Sequence, residues 1–373
     1  MTELKSKVNS LFYKKILKRI LFHLDPELVH NLFINFGEIL GSNILARKLT
    51  SIQFDYKNKI LEQEVMGIKL RNPIGLAAGF DYNGRLTQIL PSIGFGIESI
   101  GSVTYNSYEG NPKPRLKRLP KSLSLLVNKG LKNEGIKKII KSLKELSFDI
   151  PIGISVAKTN SKETADEKGA IKDYVSSLKL LEKSNLGSYY EINISCPNAF
   201  GGEPFTTPKR LQNLLKEIDK LKIKKPTLIK MPIDLETKEI IALCEIAKEH
   251  NIQGLIFGNL TKNRDNPIFN KEEISSAGKG SFSGKPTEKR SNELISLLYK
   301  RYKKRFTIVG CGGIFSAQDA YEKIKLGASF VQMITGMIYN GPNVISEINH
   351  GLVYLLKKDG FHKISEAIGA KSN

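Results

Sequence analysis

The stretch Glu191-Ile192-Asn193-Ile194-Ser195-Cys196-Pro197-Asn198 gathers a cysteine, two asparagines and a rigid proline in one short span. Alternating apolar residues lead into it from Tyr189, and Thr207-Pro208 then open a helical pattern with Leu211, Leu214, Leu215 and Ile218 on one side. Cys196 therefore stands where a strand gives way to a loop, as a catalytic side chain would. The competing reading is a buried structural thiol, because cysteine is among the most buried residue types.

Two other polar positions share this placement. Lys230 closes the apolar run Leu228-Ile229-Lys230-Met231-Pro232, where a charge is costly unless it meets a negative partner or its head reaches water. A reduced flavin would be such a partner. Asn259 ends Ile256-Phe257-Gly258-Asn259 and joins Asn193 and Asn198. A side-chain amide both donates and accepts, so three convergent asparagines suit the alternating C=O and N–H edge of a flat, uracil-like ring. Taken singly, each is equally a turn residue.

Glycine turns follow two late apolar runs: Gly310-Cys311-Gly312-Gly313 and Thr335-Gly336. They read as a phosphate cradle in which backbone N–H groups approach an anion closely, or as two tight turns.

The elements that must position these groups recur from about Asn72. Strand-like runs cover residues 74–78, 97–100, 152–156, 189–194, 227–231, 254–257, 307–309 and 330–334, with amphipathic segments such as 136–146, 240–247 and 317–324 between them. Eight such βα units predict an α/β fold, a closed (β/α)8 barrel, whose active-site loops gather at the C-terminal strand ends. A doubly wound open sheet is the alternative. It lacks a GxGxxG after the first strand, and Gly278-Lys279-Gly280-Ser281-Phe282-Ser283-Gly284 has the wrong spacing and position.

Among 373 residues, Cys196, Cys244 and Cys311 are too few and scattered for a disulfide framework, which points to a reducing compartment. The five histidines make no HxxH or HExxH, so no metal site is expected. A formal net charge of +21 suggests an anionic partner, but the lysines are spread over every predicted helix, and specific nucleic-acid binding is not expected.

The N-terminal segment differs. Val8, Leu11, Phe12, Ile16, Ile20 and Leu24 recur at helical spacing opposite Lys14, Lys15, Lys18 and Arg19, and Asp25-Pro26 open a second helix with Leu28, Val29, Leu32, Phe33, Phe36 and Leu40. Neither reaches the roughly 20 apolar residues of a membrane span. The expectation is an extension over residues 1–50 preceding a barrel over 51–373. It is either a hairpin lying peripherally on the cytoplasmic leaflet or one packed on the barrel.

These motifs together resemble the dihydroorotate dehydrogenase family, over about residues 24–354. The match is carried by Asn193-Ile194-Ser195-Cys196-Pro197-Asn198, by Asn72-Pro73-Ile74-Gly75-Leu76-Ala77-Ala78-Gly79, by Gly110-Asn111-Pro112-Lys113-Pro114-Arg115 and by the glycine turns. Leu24-Asp25-Pro26-Glu27 and His30 resemble the extension of the membrane-associated, quinone-using class. The resemblance implies oxidation of dihydroorotate to orotate in pyrimidine biosynthesis, with quinone as acceptor. It implies FMN held by Ala77, Ala78, Gly79, Ser102, Asn193, Lys230, Gly284, Gly312, Gly313, Thr335 and Gly336. The substrate ring would meet Asn193, Asn198 and Asn259, and Cys196 matches the base position.

Several positions depart from the family pattern. Cysteine at 196 resembles the soluble classes, the quinone class having serine. Tyr82 stands where a lysine meets flavin and the orotate carboxylate; Val127 stands at a substrate asparagine, with Asn128 adjacent as a candidate replacement. Leu260 replaces a small hydroxyl residue and Ser155 an asparagine. These changes leave open a related FMN oxidoreductase with another reduced-ring substrate, and an RNA-directed flavoenzyme resembling dihydrouridine synthases.

Overall fold

A computed structural model describes residues 3–372; Met1, Thr2 and Asn373, the outermost residues of the two expected segments, lie outside the described residues. The eight expected runs form the eight parallel strands of a closed barrel: β1 Ile74–Leu76, β2 Ile97–Val103, β3 Ile152–Val156, β4 Tyr189–Asn193, β5 Thr227–Lys230, β6 Gly254–Phe257, β7 Thr307–Cys311 and β8 Phe330–Met333. Each strand pairs with the next, and β8 pairs with β1, so closure decides against the open sheet.

Burial on both faces explains why these runs are continuously apolar instead of alternating. All seven residues of β2 are buried, and the crossover helices cover the outside with one apolar stripe each. Pro208–Asp219 buries Leu211, Leu214, Leu215 and Ile218, as its spacing predicts. The hairpin of Gln63–Val65 with Ile68–Leu70 plugs the floor, where Val65 and Leu70 meet Ile97, Tyr189, Leu228, Ile256, Val309 and Phe330. Higher in the barrel, Gln332 Nε2 donates to Ser99 Oγ and Glu191 Oε1, both at 2.8 Å.

At the opposite end a three-stranded antiparallel sheet, Leu116–Leu119, Ser124–Val127 and Ser281–Gly284, stands over the barrel mouth. The glycine-rich run ending at Gly284 is thus an edge strand of this sheet, not a dinucleotide loop.

The N-terminal region comprises Glu3–Phe12, a π-helical turn Tyr13–Leu17, Lys18–His23, Pro26–Ser42 and Ile44–Phe54. Asp25 caps its helix as expected, accepting from Leu28 N at 2.8 Å. The last helix, capped by Asn43, was not foreseen and runs across position 50. Tyr13 ties the region to the barrel by donating to Ile338 O at 2.7 Å, whereas Phe12, Ile16, Ile20, Phe36, Ile39, Ile44 and Leu49 are each more than half exposed. Among the described residues no helix is long and apolar enough to cross a membrane.

Candidate active site

The C-terminal strand ends and the small sheet enclose one cavity. Fourteen of the fifteen residues expected at the site line it: Ala77, Ala78, Gly79, Ser102, Asn193, Cys196, Asn198, Lys230, Asn259, Gly284, Gly312, Gly313, Thr335 and Gly336. Asn128 is the exception. Side chains alternate along the extended chain, so Val127 and Lys129 face the cavity while Asn128 turns to the outer groove, where its Oδ1 accepts from Asn111 Nδ2 at 2.9 Å.

Local hydrogen bonds hold the rim. Asn72 fixes the entry to β1 through Nδ2 to Gly94 O (2.9 Å) and Ile74 N to Oδ1 (3.0 Å), and Gly79 N donates to Gly101 O at 2.7 Å beyond its end. Ser102 joins β2 to β3 and β4: its Oγ pairs with Ser155 Oγ and accepts from Asn193 Nδ2, both at 2.8 Å. Ser155, where the family pattern has an asparagine, thus belongs to this network. Asn193 Oδ1 accepts from Ser195 N (3.1 Å) and Oγ (3.0 Å), while Asn259 Nδ2 donates to Ser195 O (2.7 Å) and Oγ (2.8 Å). Two asparagines from different strands therefore lock the residue before Cys196.

Cys196 is partly exposed within the cavity. Burial pushes its thiol up to about 11; the Asn198 backbone N–H and the charges of Lys158 and Lys230 oppose that rise, and Glu203 adds to it. Lys230 is 4% exposed and has no hydrogen-bond or ion-pair partner among the described residues. A buried cation left in this way calls for an electron-rich ligand.

The glycine turns bordering this space are required by their own backbone and packing. Gly284, Gly312 and Gly313 have positive φ of 86°, 96° and 75°, and a Cβ at Gly312 would lie 2.3 Å from Thr287 Oγ1. Beside them Ser283 Oγ pairs with Thr335 Oγ1 at 2.8 Å. With the backbone of 77–79 opposite and Lys230 between, this lining fits a planar, anionic cofactor of the flavin kind.

Asn198 is fixed by Nδ2 to Val127 O (3.0 Å), and its carbonyl accepts from Asn111 Nδ2 (2.9 Å), which gives the Gly110–Arg115 motif a supporting part. The 199–205 loop lies over this side. Lys158 Nζ donates to Phe200 O (2.5 Å), Phe200 N to Asn160 Oδ1 (2.6 Å), and Lys262 Nζ pairs with Glu203 at 2.7 Å.

A second cavity abuts the first. Tyr13, Phe22, Val29, Phe33, Phe36, Leu40 and Phe54 line it from the N-terminal helices, and both cavities share His30, Phe80, Leu116, Leu125 and Ile338. The helical extension thus makes an almost wholly apolar passage reaching the central site. Burial pushes the His30 imidazole down to about 3, with the charges of Lys129 and Lys132 adding to the effect, so it is neutral.

Two roles emerge only from the fold. Lys129, 6% exposed, lines the central cavity with its ammonium 5.1 Å from the centre of the Tyr82 ring. Glu27, 5% exposed, comes from the extension, and its Oε1 meets Arg115 (3.1 Å), Lys129 (3.3 Å) and Lys132 (3.9 Å). Burial would raise the Glu27 carboxyl, but the three cations outweigh it and hold the group below its usual range.

Comparison with known proteins bears on this arrangement. The dihydroorotate dehydrogenase family profile matches residues 60–356. A dihydroorotate dehydrogenase (quinone) of Trichodesmium erythraeum is 36% identical over 96% of this chain and 98% of its own length; one of Christiangramia forsetii is 36% identical over 91% and 98%. Among solved structures, a DHODH of Eimeria tenella in complex with ferulenol superposes with a TM-score of 0.82 at 25% identity, covering 93% of this chain and 96% of that one.

Proposed function

We propose that this chain, which belongs to the dihydroorotate dehydrogenase family, oxidises dihydroorotate to orotate at the central cavity and passes the electrons to quinone through the apolar passage. The observation that carries this reading is the junction of the two cavities. A polar chamber with Cys196, three asparagines and Lys230 meets an almost wholly apolar one at His30 and Phe80. A charged, water-soluble ring suits the first and a quinone the second.

The family is flavin-dependent, and FMN is the form this lining favours: Gly284, Gly312, Gly313, Thr335 and Gly336 would surround its phosphate end. Ala77, Ala78, Gly79, Ser102 and Asn193 would flank the ring system, with Lys230 beside its electron-rich edge. Bound flavin supplies the hydride acceptor. The chain's own residues do the rest. Asn193, Asn198 and Asn259 present amides to the C=O and N–H edge of the substrate. Cys196 Sγ, as the thiolate, would take a proton from one ring carbon while the adjacent carbon gives up a hydride, so the ring loses two hydrogens, one as a proton to sulfur and one with the electron pair as hydride, and a C=C bond forms between the two carbons. Lys158 and Lys230 help to offset the cost of thiolate in a buried site. The 199–205 loop borders the outer groove beside Asn198, and its closure over the site would exclude water from the reacting atoms.

The same reading makes the exposed apolar stripe of Val8, Leu11, Phe12, Ile16 and Ile20 a peripheral membrane face on the cytoplasmic side, from which quinone enters. Dihydroorotate-dependent reduction of a short-chain quinone by flavin-loaded protein tests this function. Turnover with quinone but not with a nicotinamide acceptor is the expected result; turnover only with the latter would sink the quinone part.

A further inference from the structure

We propose that Lys129 reads the substrate's carboxylate, supplying in this chain the positive charge that is absent at Tyr82. The inference rests on the dihydroorotate reading of the central cavity and deepens it by naming a specificity-determining residue.

The charge balance of the chamber carries the argument. Among the described residues no aspartate or glutamate lines the central cavity, whereas Lys129, Lys132 and Lys230 do. Just behind the wall, Arg115, Lys129 and Lys132 converge on the single carboxylate of Glu27, which leaves a formal excess of two positive charges. Lys129 is the most buried of the three cations, at 7% side-chain exposure against 12% for Arg115 and 32% for Lys132. A buried cation that shares its only carboxylate with two others is under-compensated, and a monoanionic ligand completes it. Burial accordingly pulls the Lys129 ammonium down to about 8 despite Glu27.

Placement agrees with charge. The chain alternation that turns Asn128 away brings Lys129 into the cavity, where its ammonium lies over the Tyr82 ring. Tyr82 itself is held by the 81–86 turn, in which the buried Asp81 carboxylate accepts from the backbone N–H groups of Asn83, Gly84, Arg85 and Leu86. Burial raises the Tyr82 phenol far above its ordinary value, so it is neutral and cannot replace a cation, but its ring can seat one. Lys129 thus faces the cavity from a rigid aromatic floor, with Glu27 as a counter-ion that does not block it.

The test is binding of orotate and of its neutral carboxamide to flavin-loaded full-length protein, read by perturbation of the flavin absorption band, with KM and kcat for dihydroorotate measured in parallel. Wild type is expected to prefer orotate over the carboxamide. Lys129→Met should weaken orotate roughly ten- to hundredfold and leave the carboxamide within about twofold, the usual effect of removing one partner of a desolvated charge pair. KM should rise more than kcat falls, and Lys129→Arg should restore most of the preference. Lys129→Gln, which keeps a polar head, serves where Lys129→Met loses flavin. Unchanged orotate affinity in both neutral variants, or equal weakening of the two ligands, would overturn the assignment. Failure of wild type to bind orotate at all would overturn the dihydroorotate reading and this inference with it.

Discussion

The side-chain amide of Asn259 donates to both the carbonyl and the hydroxyl of Ser195, at 2.7 and 2.8 Å, and so ties the end of β6 to the residue that precedes Cys196. Because Ser195 is also held by Asn193, the thiol leaves a fixed backbone rather than a free loop. Asn259→Ala removes two donors at once. It should cost about 1–2 kcal/mol of stability and slow flavin reduction by dihydroorotate tenfold or more, as stopped-flow absorbance would reveal. An unaltered rate would mean that Asn259 neither positions Cys196 nor contacts substrate.

Cys196 is pushed up to about 11 by burial, so the thiolate is the minor form at neutral pH. The rate of flavin reduction should therefore climb with pH, roughly tenfold per unit in the range below 11, without a plateau near 8. Cys196→Ala should lower the rate about 10²–10⁴-fold while leaving the flavin spectrum intact. A pH-independent rate between 7 and 9 would remove Cys196 from the role of base.

Glu27 is the one carboxylate among three cations, and it links the N-terminal extension to residues 88 and 102 positions away in the chain. Glu27→Gln leaves Arg115, Lys129 and Lys132 facing one another in a largely buried setting. A loss of about 3–5 kcal/mol is expected from denaturant unfolding, with the extension loosening first. Protease sensitivity of the 18–42 region, unchanged in the variant, would argue against that linkage.

The half-buried His30 imidazole makes an edge contact with Phe80 at 4.9 Å and is pushed down to about 3, whereas in the unfolded chain it protonates near 6.5. The sign follows from proton counting. Below 6.5 the unfolded state binds a proton that the folded state refuses, so stability present above that pH is lost as pH falls from 6.5 towards 3. His30→Gln should show a shallower decline of denaturation midpoint between pH 6.5 and 4 than the wild type. Parallel declines would show that His30 is protonated in the folded protein.

Much of this architecture was legible in the sequence because β/α alternation and strand-end glycines are local signals. All eight strands lie where the apolar runs placed them, and the residues at their C-terminal ends line one cavity because a parallel barrel sends every such end to the same face. What could not be read is set by parity and by distance. In Ser124-Leu125-Leu126-Val127 both faces of the strand are covered, so no alternation of polarity told which of Val127, Asn128 and Lys129 turns inward. Glu27 reads as an ordinary acid in the first turn of a helix, and nothing near it in the chain announces Arg115, Lys129 or Lys132. The helix Ile44–Phe54 escaped notice because its cap, Asn43, follows closely on the preceding helix, and Ile44, Leu45, Leu49 and Ile52 are exposed.

Dihydroorotate is expected to give its electrons to a flavin bound beside Cys196 and Lys230. Anaerobic titration of flavin-loaded protein with dihydroorotate, following the oxidised-flavin absorption band, reads that transfer. Stoichiometric bleaching, reversed by adding quinone, is the predicted result. Bleaching by dithionite but not by dihydroorotate would contradict it, and would assign the cavity around Tyr82, Val127 and Leu260 to a different reduced ring.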